Sequence, residues 1–357
     1  MKATAQLQEL GQSLWLDNIT REMLDSGQLR RYIDEFSISG LTSNPSIFDK
    51  AIKSGAYDDE IRHKTAAADR EMLFFEMAIE DLRRAADLFA PIHQRTAGVD
   101  GWVSLEVSPL LAYDTARTIR AAADLHARAA RENLFIKIPG TERGLAAIEE
   151  ATFAGVPVNV TLLFSREQYL ASAYAYMRGI ERRLEAGLDP NVPSVASVFI
   201  SRWDAAVIGR VPDRLRGRLG LAVGLKTYQA YRRLMDSNRW QRLANAGART
   251  QRLLWASTST KDPDFPDTMY IDGLRAPHTI NTIPESTLRA FADHGQVGEP
   301  IATDGGDAEA TLAQFESAGI DVHALASTLQ ADGARSFVEA WQELLSRIDE
   351  QVAAVAA

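Results

Sequence analysis

The chain has 357 residues, no cysteine and a formal net charge of −9. The missing cysteines exclude disulfides, thiolate metal sites and a cysteine nucleophile, and the acidic balance argues against nucleic acid or anionic membrane as partners. Hydrophobic residues at 46% supply a large core, no apolar run approaches the ~20 residues that span a bilayer, and the N-terminal MKATAQLQELGQ lacks an apolar signal core, so a cytoplasmic protein is expected.

Along the chain, short apolar runs rich in β-branched residues alternate with helical stretches. Strands are predicted at residues 13–16, 38–42, 102–105, 134–138, 158–162, 194–200, 253–257 and 279–283. A helix is expected over 19–24. Between residues 70 and 90 the spacing of Met72, Phe75, Ile79, Leu82, Ala86 and Phe89 marks a helix with one buried stripe. An alanine-rich helix covers 114–131. Residues 312–353 read as amphipathic helix, with breaks at Gly319 and at Asp332–Gly333.

Eight strands separated by helices imply parallel pairing through crossovers, and eight is the number that closes a barrel. The alternative, a doubly wound open sheet, usually carries a glycine-rich phosphate loop after an early strand. Neither G-x-G-x-x-G nor G-x-x-x-x-G-K-[ST] occurs. The expected fold class is therefore α/β, a (β/α)8 TIM barrel with additional helices. The chain reads as a single domain over 1–357, the surplus length being a C-terminal helical extension over 307–357. The six histidines form no H-x-x-x-H or H-E-x-x-H spacing, so a metal site is not expected.

In a barrel, functional groups belong at the C-terminal ends of the strands. By that rule strand one carries Asp17 and Asn18, strand two Thr42, Ser43 and Asn44, strand three Glu106 and Ser108, and strand four Lys137. Strand five carries Asn159 and Thr161, strand six Ser197, Ser201 and Arg202, strand seven Ser257 to Lys261, and strand eight Asn281 and Thr282.

Lys137 lies inside Leu134-Phe135-Ile136-Lys137-Ile138, so it faces away from both isoleucines. Burial disfavours an ammonium relative to an amine, and a neutral amine is what Schiff-base chemistry needs. Taken alone, this strand fits a snorkelling or carboxylate-paired lysine better. Glu106, one strand away, supplies either an ion pair or a general acid/base. Asp17 fits an N-cap for the following helix equally well. Three ionisable groups on three strand ends of one mouth move the balance toward a catalytic cluster. Arg202 fits a phosphate fork or a salt bridge to Asp204. Ser257 to Thr260 offer hydroxyls where barrels often bind phosphate.

SLWLDNITR, GLTSNPSIF, WVSLEVSP, NLFIKIPGT, GVPVNVTLLFS, SVASVFISRWD and LLWASTSTKD follow one another from residue 13 to 262. In that order they resemble the transaldolase family, in its longer bacterial form, over essentially the whole chain. The resemblance implies that Lys137 forms a Schiff base with a ketose phosphate. It implies that Glu106 works through a water held by Thr161, and that Asp17 takes and returns a proton during carbon–carbon cleavage. Asn44, Asn159 and Ser197, with Thr42 at the same mouth, would hold substrate hydroxyls. Arg202 and Ser257 would hold the phosphate. Many members place a second phosphate-binding arginine two residues after that serine. Here the position is Ser259, followed by Thr260 and Lys261, with Lys261 as the substitute cation.

The implied activity is transfer of a dihydroxyacetone unit from sedoheptulose 7-phosphate or fructose 6-phosphate to an aldose phosphate, without metal or organic cofactor. A Schiff-base fructose 6-phosphate aldolase is the alternative. A silent sugar-phosphate-binding barrel would have lost one or more of the three ionisable groups. Monomer and homodimer are equally compatible with the sequence.

Overall fold

The computed structural model describes residues 1–64 and 69–356. Its strands are β1 (Ser13–Leu16), β2 (Ile38–Leu41), β3 (Val103–Glu106), β4 (Leu134–Pro139), β5 (Val158–Leu163), β6 (Ser194–Phe199), β7 (Gln251–Ala256) and β8 (Ile280–Ile283). They form one parallel sheet in the order β2-β1-β8-β7-β6-β5-β4-β3. The seam between β2 and β3 is closed by a parallel bridge from Gly40 to Trp102. There Leu41 N donates to Trp102 O at 2.9 Å and Gly101 N to Ser39 O at 2.8 Å. The expected (β/α)8 barrel is present, each strand end shifted by at most two residues from its predicted position.

Strands of a helix-covered parallel sheet are buried on both faces, which is why they read as continuous apolar runs. Alternation sorts their side chains. Leu14, Leu16, Ile136 and Ile138 point outward into the layer between sheet and helices. Trp15, Phe135, Val195, Leu254 and Ile280 point inward and, with Trp102, fill the floor of the barrel. The Trp102 and Phe135 rings stack with centroids 4.1 Å apart. β2 contributes Gly40 to this layer. A Cβ there would lie 2.7 Å from both the Trp15 indole and Trp102 O, so glycine is what lets the indole in. Two residues further along the same inner lanes come Asp17, Thr42, Lys137, Ser197, Ala256 and Thr282, and all six line one cavity above the floor.

The helices depart from expectation in three places. The helix Arg70–Arg95 buries Phe75, Ile79, Leu82, Ala86 and Phe89, but Met72 is 48% exposed. Its neighbour Leu73 takes the inward position. The helix after β1 is Arg21–Asp25, and its cap is Thr20, whose hydroxyl accepts from Met23 N at 3.1 Å. Asp17 is therefore not a cap. The helical stretch expected over 312–353 is two helices, Ala308–Ser317 and Val322–Ala356, parted as predicted at Gly319 with φ +86; the third departure lies at the second predicted break.

The predicted break at Asp332–Gly333 is absent, and the C-terminal helix runs through it. A mid-helix glycine costs about 1 kcal/mol, which packing here offsets. A Cβ at Gly333 would stand 3.0 Å from Leu162 and 3.3 Å from the Arg202 guanidinium, so the glycine serves a close approach of helix to barrel. At 35 residues and ~1.5 Å per residue, this helix reaches past Lys137 from Gly140 and Leu162 at one end to Asp49 and Ile52 at the other. Its inward stripe is Ala334, Phe337, Trp341, Leu344 and Ile348, all buried and at helical spacing. No helix among the described residues is long and apolar enough to cross a membrane.

Gly40→Ala should therefore destabilise the barrel by roughly 1–3 kcal/mol through overpacking, measured by denaturant unfolding. An unchanged midpoint would show that the Trp15 indole can retreat.

Candidate active site

The cavity at the C-terminal mouth has a volume of about 200 Å³. A larger one, about 640 Å³, opens at the opposite end around Ser13 and Ser194. Its buried carboxylate, Asp100, is taken up by the Ser13 hydroxyl and by Trp15 Nε1 at 2.7 Å. The unspent chemistry is at the smaller cavity.

Register sets the central pair. Glu106 of β3 is aligned with Lys137 of β4, which is aligned with Asn159 of β5. Lys137 Nζ donates to Glu106 Oε2 at 3.1 Å and to Ser43 O at 3.2 Å. Both side chains are deeply buried, each residue 5% exposed. Burial raises the Glu106 carboxyl above its ordinary range, and the adjacent lysine opposes that rise. Asp17 lines the same cavity. Its carboxyl is likewise raised by burial, against the field of Lys137 and a hydrogen bond from Thr42 Oγ1 at 2.9 Å. Thr42 Oγ1 also lies 2.7 Å from Thr282 Oγ1. The pairing contemplated for Lys137 thus exists, and it lies inside the mouth rather than at a surface.

Two oxygens beside the lysine, Glu106 Oε1 and Thr161 Oγ1, are buried and have no hydrogen-bond partner among the described residues. Buried polar atoms ordinarily have one, in the protein or in water. Asn159 is fully buried beneath the cavity. Its Nδ2 donates to Ser104 Oγ at 3.1 Å, and its Oδ1 accepts from Ser197 Oγ at 2.7 Å. Ser197 itself reaches the cavity, as does Asn44. Asn44 also caps the helix Pro45–Lys53, its Oδ1 accepting from Ile47 N at 3.1 Å.

The cationic side is formed by the segments after β6 and β7. Arg202 stands in the helix Ser201–Val207, half-buried on the cavity wall. Among the described residues it has no carboxylate partner, and burial lowers its affinity for its proton. Asp204, the alternative partner, faces the other way. It accepts from Leu219 N at 2.9 Å, Gly220 N at 3.1 Å and Tyr270 OH at 2.8 Å. Ser257, at φ +54, pairs with Ser201 Oγ at 3.0 Å. The exposed Lys261 donates to Ser259 Oγ at 2.6 Å. Ser257, Ser259 and Lys261 all line the cavity.

Three further contributors escaped the sequence reading. The Ser43 carbonyl is backbone and leaves no trace in residue type. Phe199 lies two residues after Ser197, so strand alternation alone would have placed it in the cavity. Phe337 comes from the C-terminal helix, with its ring centroid 5.7 Å from Lys137 Nζ. Only the helix stripe hinted at it.

A buried lysine–carboxylate pair with a second carboxylate lies at the C-terminal mouth of a parallel barrel, the end at which barrel enzymes carry their active sites. Residues 14–348 match the family model described as Transaldolase/Fructose-6-phosphate aldolase. The chain is 43% identical to a transaldolase of Parafrankia sp. (strain EAN1pec), covering 99% of each. It is 44% identical to one of Arthrobacter sp. (strain FB24), covering 98% of this chain and 97% of that one. It is 42% identical to one of Neisseria gonorrhoeae (strain ATCC 700825 / FA 1090), covering 97% and 99%. The chain belongs to the transaldolase/fructose-6-phosphate aldolase family.

Replacing Lys137 by methionine removes the charge that holds the Glu106 proton affinity down. A carboxyl whose folded-state pKa is raised binds more protons folded than unfolded, so stability falls as pH rises from the unfolded value near ~4.3 through the higher folded one, which losing Lys137 moves higher still. Relative to the parent, Lys137→Met should lose more stability at pH 8 than at pH 5, read by denaturant unfolding. A pH-independent difference would show that Glu106 does not depend on Lys137.

Proposed function

We propose that this chain is a transaldolase. It transfers a dihydroxyacetone unit from sedoheptulose 7-phosphate or fructose 6-phosphate to glyceraldehyde 3-phosphate or erythrose 4-phosphate, in the pentose phosphate pathway and in the cytoplasm. The observation that carries this reading is the 3.1 Å contact between buried Lys137 and Glu106, with Asp17 in the same cavity.

In this reading Lys137 passes a proton to Glu106, whose proton affinity burial has raised, and the amine attacks the C2 ketone. Glu106 Oε1 and Thr161 Oγ1 hold the water through which hydroxide departs, leaving the iminium. Asp17 accepts the C4 hydroxyl proton, the C3–C4 bond breaks into the iminium, and an aldose phosphate leaves. The three-carbon enamine on Lys137 then attacks the acceptor aldehyde, whose oxygen takes the proton back from Asp17, and water adds to C2 of the iminium so formed, breaking the C2–N bond to release the new ketose phosphate and the lysine amine. The iminium is the electron sink, so the cycle calls for no cofactor and runs ping-pong. Asn44 and Ser197 bind substrate hydroxyls, and Asn159 holds Ser197 in place from below. Arg202 is the principal phosphate ligand, supported by Ser257, Ser259 and Lys261.

Borohydride reduction in the presence of fructose 6-phosphate should add a dihydroxyacetone-sized mass at Lys137, and Lys137→Ala should be inactive. No adduct, or full turnover by the variant, would refute the role of the lysine. Release of free dihydroxyacetone as the main reaction without an acceptor would instead indicate an aldolase. Arg202→Ala should raise KM for fructose 6-phosphate roughly 10- to 100-fold, the worth of a charge-assisted hydrogen bond, while sparing reaction with unphosphorylated fructose. Thr42→Val removes a hydrogen bond that stabilises the Asp17 carboxylate. Its acid limb of kcat/KM should move to higher pH, and a limb that stayed in place would detach Asp17 from the acid-side titration.

A further inference from the structure

The enamine on Lys137 has two fates. Its C3 can attack an acceptor aldehyde, making the new C3–C4 bond. Alternatively C3 takes a proton, water adds to C2 of the resulting iminium, and the C2–N bond breaks to give free dihydroxyacetone and the lysine amine. The second route needs only water and a proton. Between departure of one aldose and arrival of the next, a cavity of about 200 Å³ leaves room for water, which occupies ~30 Å³ per molecule.

On the polar wall described above, Glu106 Oε1 and Thr161 Oγ1 have no hydrogen-bond partner among the described residues. The roof is of another kind. Phe337 lines the cavity over Lys137, its centroid 5.7 Å from Nζ, and is itself buried. The C-terminal helix is pinned on both sides of it. Seven residues before, Gln330 Nε2 donates to Gly140 O at 3.1 Å and to Leu162 O at 2.9 Å. Leu162 adopts φ +58 where the β5–β6 register shifts. That left-handed conformation is strained for a non-glycine residue, and its carbonyl is the one that Gln330 caps. Four residues after, Trp341 packs edge-on against Phe74 with centroids 4.8 Å apart. Beyond it Arg347 pairs with Asp49 at 2.7 Å, and Gln351 donates to Ile52 O at 2.9 Å. Gly333 lets this span sit close enough for the ring to reach the lysine.

We propose that Phe337 excludes water from the Lys137 enamine, so that the C-terminal helix sets the partition between transfer and hydrolytic release. The inference rests on the Schiff-base reading above. The measurement is the ratio of dihydroxyacetone released from fructose 6-phosphate without acceptor to transfer onto glyceraldehyde 3-phosphate. Phe337→Ala should raise this ratio at least about tenfold, equivalent to ~1.4 kcal/mol between the two barriers, with the borohydride adduct at Lys137 retained. Phe337→Leu, which keeps apolar bulk, should stay close to the parent. Gln330→Ala leaves the ring but frees one anchor, and should raise the ratio measurably even if Phe337→Ala does not fold. A parent that forms no adduct would overturn the Schiff-base reading and this inference with it. An adduct with an unchanged ratio in Phe337→Ala, or in Gln330→Ala where Phe337→Ala does not fold, would overturn the inference alone. So would release and transfer falling in parallel.

Discussion

Taking an ammonium and a carboxylate out of water costs several kcal/mol per ion, and their mutual attraction restores this only where geometry is good and the remaining polar atoms find partners. The Lys137–Glu106 pair meets the first condition and leaves the second open. Nζ is bonded to Glu106 and to the Ser43 carbonyl, while Glu106 Oε1 has no partner among the described residues. Such a pair is a poor device for stability. What it does is hold a lysine next to a carboxyl of raised proton affinity. The remainder of the site answers to it. Asp17 sits in the field of the lysine, Thr42 steadies Asp17, and the apolar floor of Trp15, Trp102 and Phe135 keeps solvent from below.

That floor links chemistry to fold. Alternation in a strand makes the residue two positions after a lumen-facing aromatic or aliphatic face the lumen as well. Trp15 therefore dictates where Asp17 points, Phe135 does the same for Lys137, and Val195 for Ser197. A one-residue slip of β4 would send Lys137 into the helix layer. The core and the candidate site share the same lanes at different depths.

This is also why so much was legible beforehand. Apolar strands interrupted by single polar residues announced both the barrel and its mouth, and the runs around Lys137, Glu106 and Asp17 carried their own orientation. What escaped depends on contacts between distant segments. Aspartate followed by glycine reads locally as a turn, and only the proximity of Leu162 and Arg202 explains a helix running through Gly333. Asp204 looked like a local partner for Arg202 until the backbone of Leu219 and Gly220 and the Tyr270 hydroxyl claimed it. Asn159 has the residue type of a ligand, and what its sequence neighbours do not show is that its amide also ties Ser104 to Ser197 beneath the cavity. No local pattern reports that a helix from the far end of the chain covers the mouth.

The strand pairings of the barrel are mostly between consecutive strands, but the bonds that fasten the C-terminal helix join residues 190, 298 and 299 positions apart. Loop-closure entropy makes such contacts late to form. Elements held to the rest of a fold by long-range contacts can also open without unfolding the whole. The span over the lysine is thus a candidate cooperative unit of its own, with amide protons around Gln330 to Trp341 exchanging with solvent ahead of those in β4. The barrel would then hold its shape through many excursions in which the mouth stands uncovered.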